Sequence, residues 1–267
     1  MGWKWNRGKR LSYLTIPEWS EKGVKLAFST RNGGVSKNPY SFLNLALHVG
    51  DRPGAVLHNR KLFLSELGCS SENCVTGEQV HGTKVFLVTE RDRSRGMQRM
   101  EDAIPQCDAL LTLTDVGLLS YYADCVPLFF YCPSIRLVGL AHAGWQGTAN
   151  RIVKEVLAKI KSIGGLPEDC LAAIGPCIGA CCYEVGETVV SVFKENFNDL
   201  SMLTELAEGK YKLDLAKANQ MQLISEGIPP KNIYNAGMCT ACHSEHFYSY
   251  RRDGITGRMA AFIMKET

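Results

Sequence analysis

One thiol and two imidazoles stand where a sheet would place catalytic groups. Cys125 closes Ala123-Asp124-Cys125 after the apolar run Gly117 to Tyr122. His142 opens His142-Ala143-Gly144-Trp145 after Leu137 to Leu140, and His81 lies upstream in Gln79-Val80-His81-Gly82. Together they make either a zinc site with one open coordination position or a cysteine nucleophile with a histidine base. Singly, each also reads as a structural residue: a buried cysteine, a core histidine, a polar turn. The glycine-rich turn at Gly144 and Gly147 follows a strand and opens a helix, a place for an anion such as phosphate.

Other cysteines compete for attention. Cys239-Thr240-Ala241-Cys242-His243 matches the covalent haem-attachment pattern, which needs an exported chain. With His246 it offers a zinc clip, although four ligands within eight residues are tightly spaced for one tetrahedron. A polar loop is the favoured reading. Cys177, Cys181 and Cys182 sit in Gly175-Pro176-Cys177-Ile178-Gly179-Ala180-Cys181-Cys182, a shaped loop, and adjacent cysteines seldom both ligate one metal. Phe247 to Gly254 mixes aromatic rings with Arg251 and Arg252. It reads either as a base- and phosphate-binding stretch or as a solvated loop.

The elements that must position these residues are strands and helices without strict alternation. Lys25–Thr30, Lys84–Val88, Ala109–Leu113, Leu118–Tyr122, Leu128–Tyr131, Leu137–Leu140, Leu171–Ile174 and Met259–Met264 read as strands, several apolar on both faces. Helices are expected at Val56–Leu67, Glu187–Phe197 and Leu213–Ser225. A further helix, capped by Thr148, carries the stripe Ile152, Val153, Val156, Leu157, Ile160 and Ile163. With no repeat and no linker-like stretch, this is a single α+β domain. Residues 1–24 form a strand or arm of it, and 25–267 form the catalytic domain.

Composition narrows the function. A net charge of +3 is too weak to argue for nucleic acid, and no apolar run is long enough to cross a membrane. The eleven cysteines, an odd count in a long chain without an export signal, point to free thiols in a reducing cytoplasm.

The ordered segments Thr30-Arg31-Asn32-Gly33-Gly34-Val35-Ser36, Asn44-Leu45, Asn59-Arg60, Gln79 to Gly82, Asp108-Ala109, Ala123 to Cys125 and His142 to Trp145 resemble the YfiH-type family. So do Gly175 to Gly179, Cys239-Thr240 and Phe247 through Arg251 to Arg258, so the likeness runs from about residue 25 to the C-terminus. The family has been called multicopper polyphenol oxidase, or laccase-domain protein. The resemblance implies a four-layer α-β-β-α sandwich with mixed sheets. It also implies purine nucleoside phosphorylase activity on adenosine, inosine and methylthioadenosine, with adenosine deaminase activity. His81, Cys125 and His142 are then the metal ligands or catalytic triad, holding Zn2+ or, in its place, copper. Arg31, Arg60, Gly144 and Arg251 are the candidate substrate contacts, and purine nucleosides and phosphate the expected partners. Metal-free cysteine hydrolysis by Cys125 and His142 and copper-dependent phenol oxidation are the alternative enzymes, and a non-enzymatic binding protein a further reading. The preferred nucleoside and the oligomeric state are not written in the sequence.

Overall fold

Gly117–Tyr122, Val126–Cys132 and Leu137–Ala143 are buried along their whole length, so each needs cover on both faces. The computed structural model, which describes residues 2–207 and 209–266, supplies it. One six-stranded sheet runs in the order Lys4–Arg7, Ser12–Thr15, Val24–Ser29, Met259–Lys265, Gly117–Tyr122, Cys74–Thr76. A second runs Ile233–Asn235, Leu171–Ile174, Val126–Cys132, Leu137–Ala143, Ala109–Thr112, Val85–Val88. Both sheets mix parallel and antiparallel pairs. A small third sheet joins Glu184–Gly186, Lys210–Leu213 and Leu203–Glu205.

Alternation along the strands builds the layers. Leu118 and Tyr122 face the space between the two large sheets, with Phe129, Val138, Leu140, Ala261 and Ile263. Their neighbours Leu119 and Tyr121, with Phe262, turn outward onto Phe63 and Leu64 of the helix Pro53–Glu66. On the far side Leu128, Phe130 and Ala141 lie beneath Val156, Leu157 and Ile160 of the helix Ile152–Ser162 and Leu223 of Leu215–Ser225. Helix, sheet, sheet, helix is the α+β sandwich that the family resemblance implies.

Thr148 does not cap the long helix. A short helix, Trp145–Ala149, ends there, and the chain turns at Arg151 (φ +66°) before Ile152–Ser162 begins. Buried Asn219 Nδ2 donates to Thr148 Oγ1 at 2.9 Å, so the hydroxyl joins two helices instead. The strand-like N-terminal arm is a hairpin, Lys4–Arg7 with Ser12–Thr15, at the edge of the first sheet.

Phe129 is fully buried between the sheets, and Ile255 is 68% exposed. Phe129→Ala should therefore lower stability in urea by about 3–5 kcal/mol, and Ile255→Ala by less than about 0.5 kcal/mol.

Candidate functional site

Three neighbouring strands of the second sheet bring their polar residues to one end. Ala109 pairs with Ala141 and Pro127 with His142. Asp108 and Cys125 thus precede their strands at the end where His142 leaves its own. The Asp108 carboxylate then gathers the site. Its Oδ2 accepts from Val80 N (3.1 Å) and Gly82 N (2.8 Å), while Oδ1 accepts from His81 N (3.0 Å) and lies 2.8 Å from His142 Nδ1. The bond to Nδ1 sets the His142 ring and leaves Nε2 as its available nitrogen. The three amide bonds hold His81 at φ +61°, a conformation few non-glycine residues adopt.

One donor atom each from His81, Cys125 and His142 lies within 4.8 Å of the others. The two imidazoles meet edge to face, centroids 4.8 Å apart. Gly144 is required here: a Cβ would collide with His81 Nδ1 and approach Cys125 Sγ at 3.3 Å. A nitrogen–sulfur–nitrogen set fits zinc with an open position, and copper accepts the same donors.

Asp124, just before Cys125, is a second non-glycine residue with positive φ, +88°. Thr240 Oγ1 donates to its Oδ1 and Arg251 N to its Oδ2, both at 2.7 Å, and Ile178 N donates to its carbonyl at 2.9 Å. Three segments thus brace the turn that presents the thiol.

The electrostatics follow from this packing. Burial alone would raise the Cys125 pKa, but the His142 charge and hydrogen bonds from both histidines outweigh it and bring the thiol down to about 6. Burial would lower His142, yet the Cys125 thiolate and the Asp108 carboxylate raise it to about 9. Asp108 itself is buried, which opposes ionisation, but its bonds to His142, Gly82 and Val80 hold it below the ordinary carboxylate value.

The triad floors a cavity of about 620 Å³ walled by Tyr121, Trp145, Tyr183, Tyr250, His48 and Gln79, with Arg251 and Arg258 at its side. Arg251 lies over the Tyr183 ring at 4.8 Å and donates to Glu184 O at 2.6 Å. Arg258 donates to the carbonyls of Thr256 and Gly257. Among the described residues neither forms an ion pair with a carboxylate, and Asp124 also lines the cavity near them.

Two expected contacts do not reach this cavity. Arg60 is fully buried, bonded to the carbonyls of Leu45, Gly96 and Met97 and packed over Tyr121. Arg31 is spent on the carbonyls of Ser41 and Ser244 and lies over Tyr248. Neither lines the cavity, and both are tied to backbone oxygens. The sequence reading missed the roles of Asp108, Arg258 and Tyr183. Asp108 carried a local signal, a carboxylate directly before a strand apolar on both faces. The Cys239–His246 clip does not form: His243 and His246 turn toward Glu245 (3.4 and 3.6 Å), while Cys239 and Cys242 meet Cys181 and Cys182. No described helix is long and apolar enough to cross a membrane.

The profile of the family described as multi-copper polyphenol oxidoreductase laccase matches residues 25–266. The chain belongs to this YfiH-type, laccase-domain family. Among its relatives, purine nucleoside phosphorylase YlmD of Geobacillus stearothermophilus is 43% identical over 246 residues, 90% of each chain. YlmD of Bacillus subtilis is 38% identical, covering 96% of this chain and 95% of its own. The crystal structure of the Geobacillus YlmD superposes with a TM-score of 0.94 at 40% identity, over 98% of this chain and 99% of that one. Bacillus licheniformis YfiH, titled a hypothetical protein, gives the same TM-score at 37% identity, with the same coverage.

For a YfiH-type site of this geometry, the reactive form of Cys125 is the thiolate. In metal-free protein its alkylation by iodoacetamide should therefore persist at neutral pH and fall as pH drops through about 6. His142→Gln removes the balancing cation and should move that midpoint up toward the ordinary thiol value.

Proposed function

We propose that this chain is a purine nucleoside phosphorylase that also deaminates adenosine. Its substrates are adenosine, inosine and methylthioadenosine with inorganic phosphate, and its products the free base and the corresponding ribose 1-phosphate. The observation that carries the reading is the cavity, in which aromatic walls and two arginines without carboxylate partners converge on His81, Cys125 and His142. The names of the YlmD relatives support it. The free state of all eleven cysteines supports a reducing, cytoplasmic location.

The geometry supports the following division of roles. Flat walls such as Tyr183 and Tyr250 suit a purine ring. Arg251 and Arg258 hold phosphate and keep its charge close to the anomeric carbon. A phosphate oxygen bonds to that carbon as the glycosidic bond to the purine breaks, and the electron pair leaves with the base. The transition state has oxocarbenium character, so anions held on one side lower its energy. Asp108 fixes His142, and Asp124 fixes Cys125, so that the three donors meet without reorganisation. His81, Cys125 and His142 would hold the metal, with zinc proposed and copper its competitor. Zinc would supply Lewis acidity there, able to bring the pKa of water to about 7, as deamination requires.

A metal-free cysteine hydrolase is the second reading, favoured by the low Cys125 and high His142 pKa values and by Asp108 behind the imidazole. Phenol oxidation by a laccase mechanism is poorly served. A trinuclear copper cluster needs many histidines, and among the described residues the six here enter one candidate metal group, that of His81 and His142 with Cys125.

Incubation of purified protein with adenosine and phosphate should yield adenine and ribose 1-phosphate, with inosine from deamination; dye oxidation alone would contradict the assignment. Cys125→Ala should lose both activities together with the metal. Full activity after metal removal, abolished by thiol alkylation, would instead support the hydrolase chemistry. Arg251→Ala should raise the KM for phosphate about 10- to 100-fold, the worth of a charge-assisted hydrogen bond.

A further inference from the structure

Four cysteines outside the catalytic cavity come together from two distant loops. Cys181 and Cys182 lie in the turn that follows Gly179, and Cys239 and Cys242 form a Cys-x2-Cys pair after the strand Ile233–Asn235. All four sulfurs lie within 4.8 Å of one another. Cys242 Sγ is 3.5 Å from Cys181 Sγ and 3.4 Å from Cys182 Sγ. A tetrahedron with zinc–sulfur bonds of about 2.3 Å has sulfur–sulfur edges of about 3.8 Å, which is the scale of this cluster.

The backbone is shaped to it. Cys182 N and Tyr183 N both donate to Gly179 O at 3.0 Å, a tight turn that folds the adjacent cysteines onto one site. Gly179 N donates to Cys239 Sγ at 3.2 Å, a bond that favours a thiolate. A Cβ at Gly179 would crowd Cys181 Sγ (3.2 Å) and Cys239 Cβ (3.3 Å), so the loop leaves room for the sulfurs. A parallel bridge between Cys177 and Cys239 sets the two loops side by side, with Thr240 N donating to Cys177 O at 3.0 Å.

We propose that Cys181, Cys182, Cys239 and Cys242 bind a second, structural zinc ion as a closed tetrathiolate site. Four protein ligands leave no open position, so the role is to fasten rather than to react. Binding converts four thiols to thiolates and releases four protons. The two loops that it joins both serve the cavity. The first carries Ile178, which bonds the Asp124 carbonyl, and leads to Tyr183. The second carries Thr240, bonded to the Asp124 carboxylate, and Ala241, and Arg252 ties both carbonyls to the turn holding Arg251. The ion would thus tie together the supports of Cys125 from behind.

The test uses full-length Cys125→Ala, which empties the catalytic metal site. After purification under inert gas from zinc-supplemented cells, elemental analysis should find one zinc ion per chain. Titration with an organomercurial should release that zinc as four thiols are consumed. Adding Cys182→Ser and Cys242→Ser should remove the ion. Replacing zinc with cobalt(II) in Cys125→Ala should give intense thiolate-to-cobalt charge-transfer absorption, absent from the triple variant. Cys125→Ala free of metal, iron in place of zinc, retention of the ion after loss of both thiols, or a disulfide among the four in the peptide map would each overturn the proposal. The titration and the cobalt spectrum of Cys125→Ala decide the matter even if the serine variants fail to fold.

Discussion

The Asp108 carboxylate is the constraint on which the site depends. Four donors converge on its two oxygens: the backbone amides of Val80, His81 and Gly82, and the His142 imidazole. Removed from water, such a carboxylate is costly unless every lone pair is used, and here the partners are the site itself. One bond orients His142, and another pins His81 in a backbone conformation it would not choose. Because a single group sets the His142 ring and the His81 backbone, the fold brings the two histidines together.

The sandwich explains why Asp108 can do this. It precedes a strand sealed on both faces, next in the sheet to the strand that carries His142 near its end. The loop carrying His81 is held to the opposite sheet as well, since the Gln79 amide exchanges two hydrogen bonds with the Tyr121 backbone at 2.9 and 2.8 Å. Cys125 has an equivalent support in Asp124, braced from Thr240, Arg251 and Ile178. Two carboxylates, Asp108 and Asp124, therefore position the three residues that would hold the metal.

Much of this was legible in the chain. Strands apolar on both faces announced a doubly covered sheet; local pattern left His81, Cys125 and His142 open to structural readings, and the ordered family motifs singled them out. Short edge strands such as Cys74–Thr76 and Glu184–Gly186 were not legible, because three residues carry too little periodicity. The arginines misled for a different reason. A guanidinium satisfies buried carbonyls as readily as phosphate, and only the fold shows that Arg60 and Arg31 do the former while Arg251 and Arg258 face the cavity. The four-cysteine cluster was hidden because its halves lie far apart in sequence, and because the histidines beside Cys242 formed a more conspicuous local pattern.

The most direct measurement is zinc affinity of Asp108→Asn against the unaltered chain, by competition with a chromogenic chelator, with folding verified by circular dichroism. The substitution keeps the shape of the side chain but removes the charge behind His142. The account predicts affinity at the His81–Cys125–His142 site weakened about 10- to 100-fold. Unchanged affinity in a folded variant would contradict the claim that Asp108 organises the site.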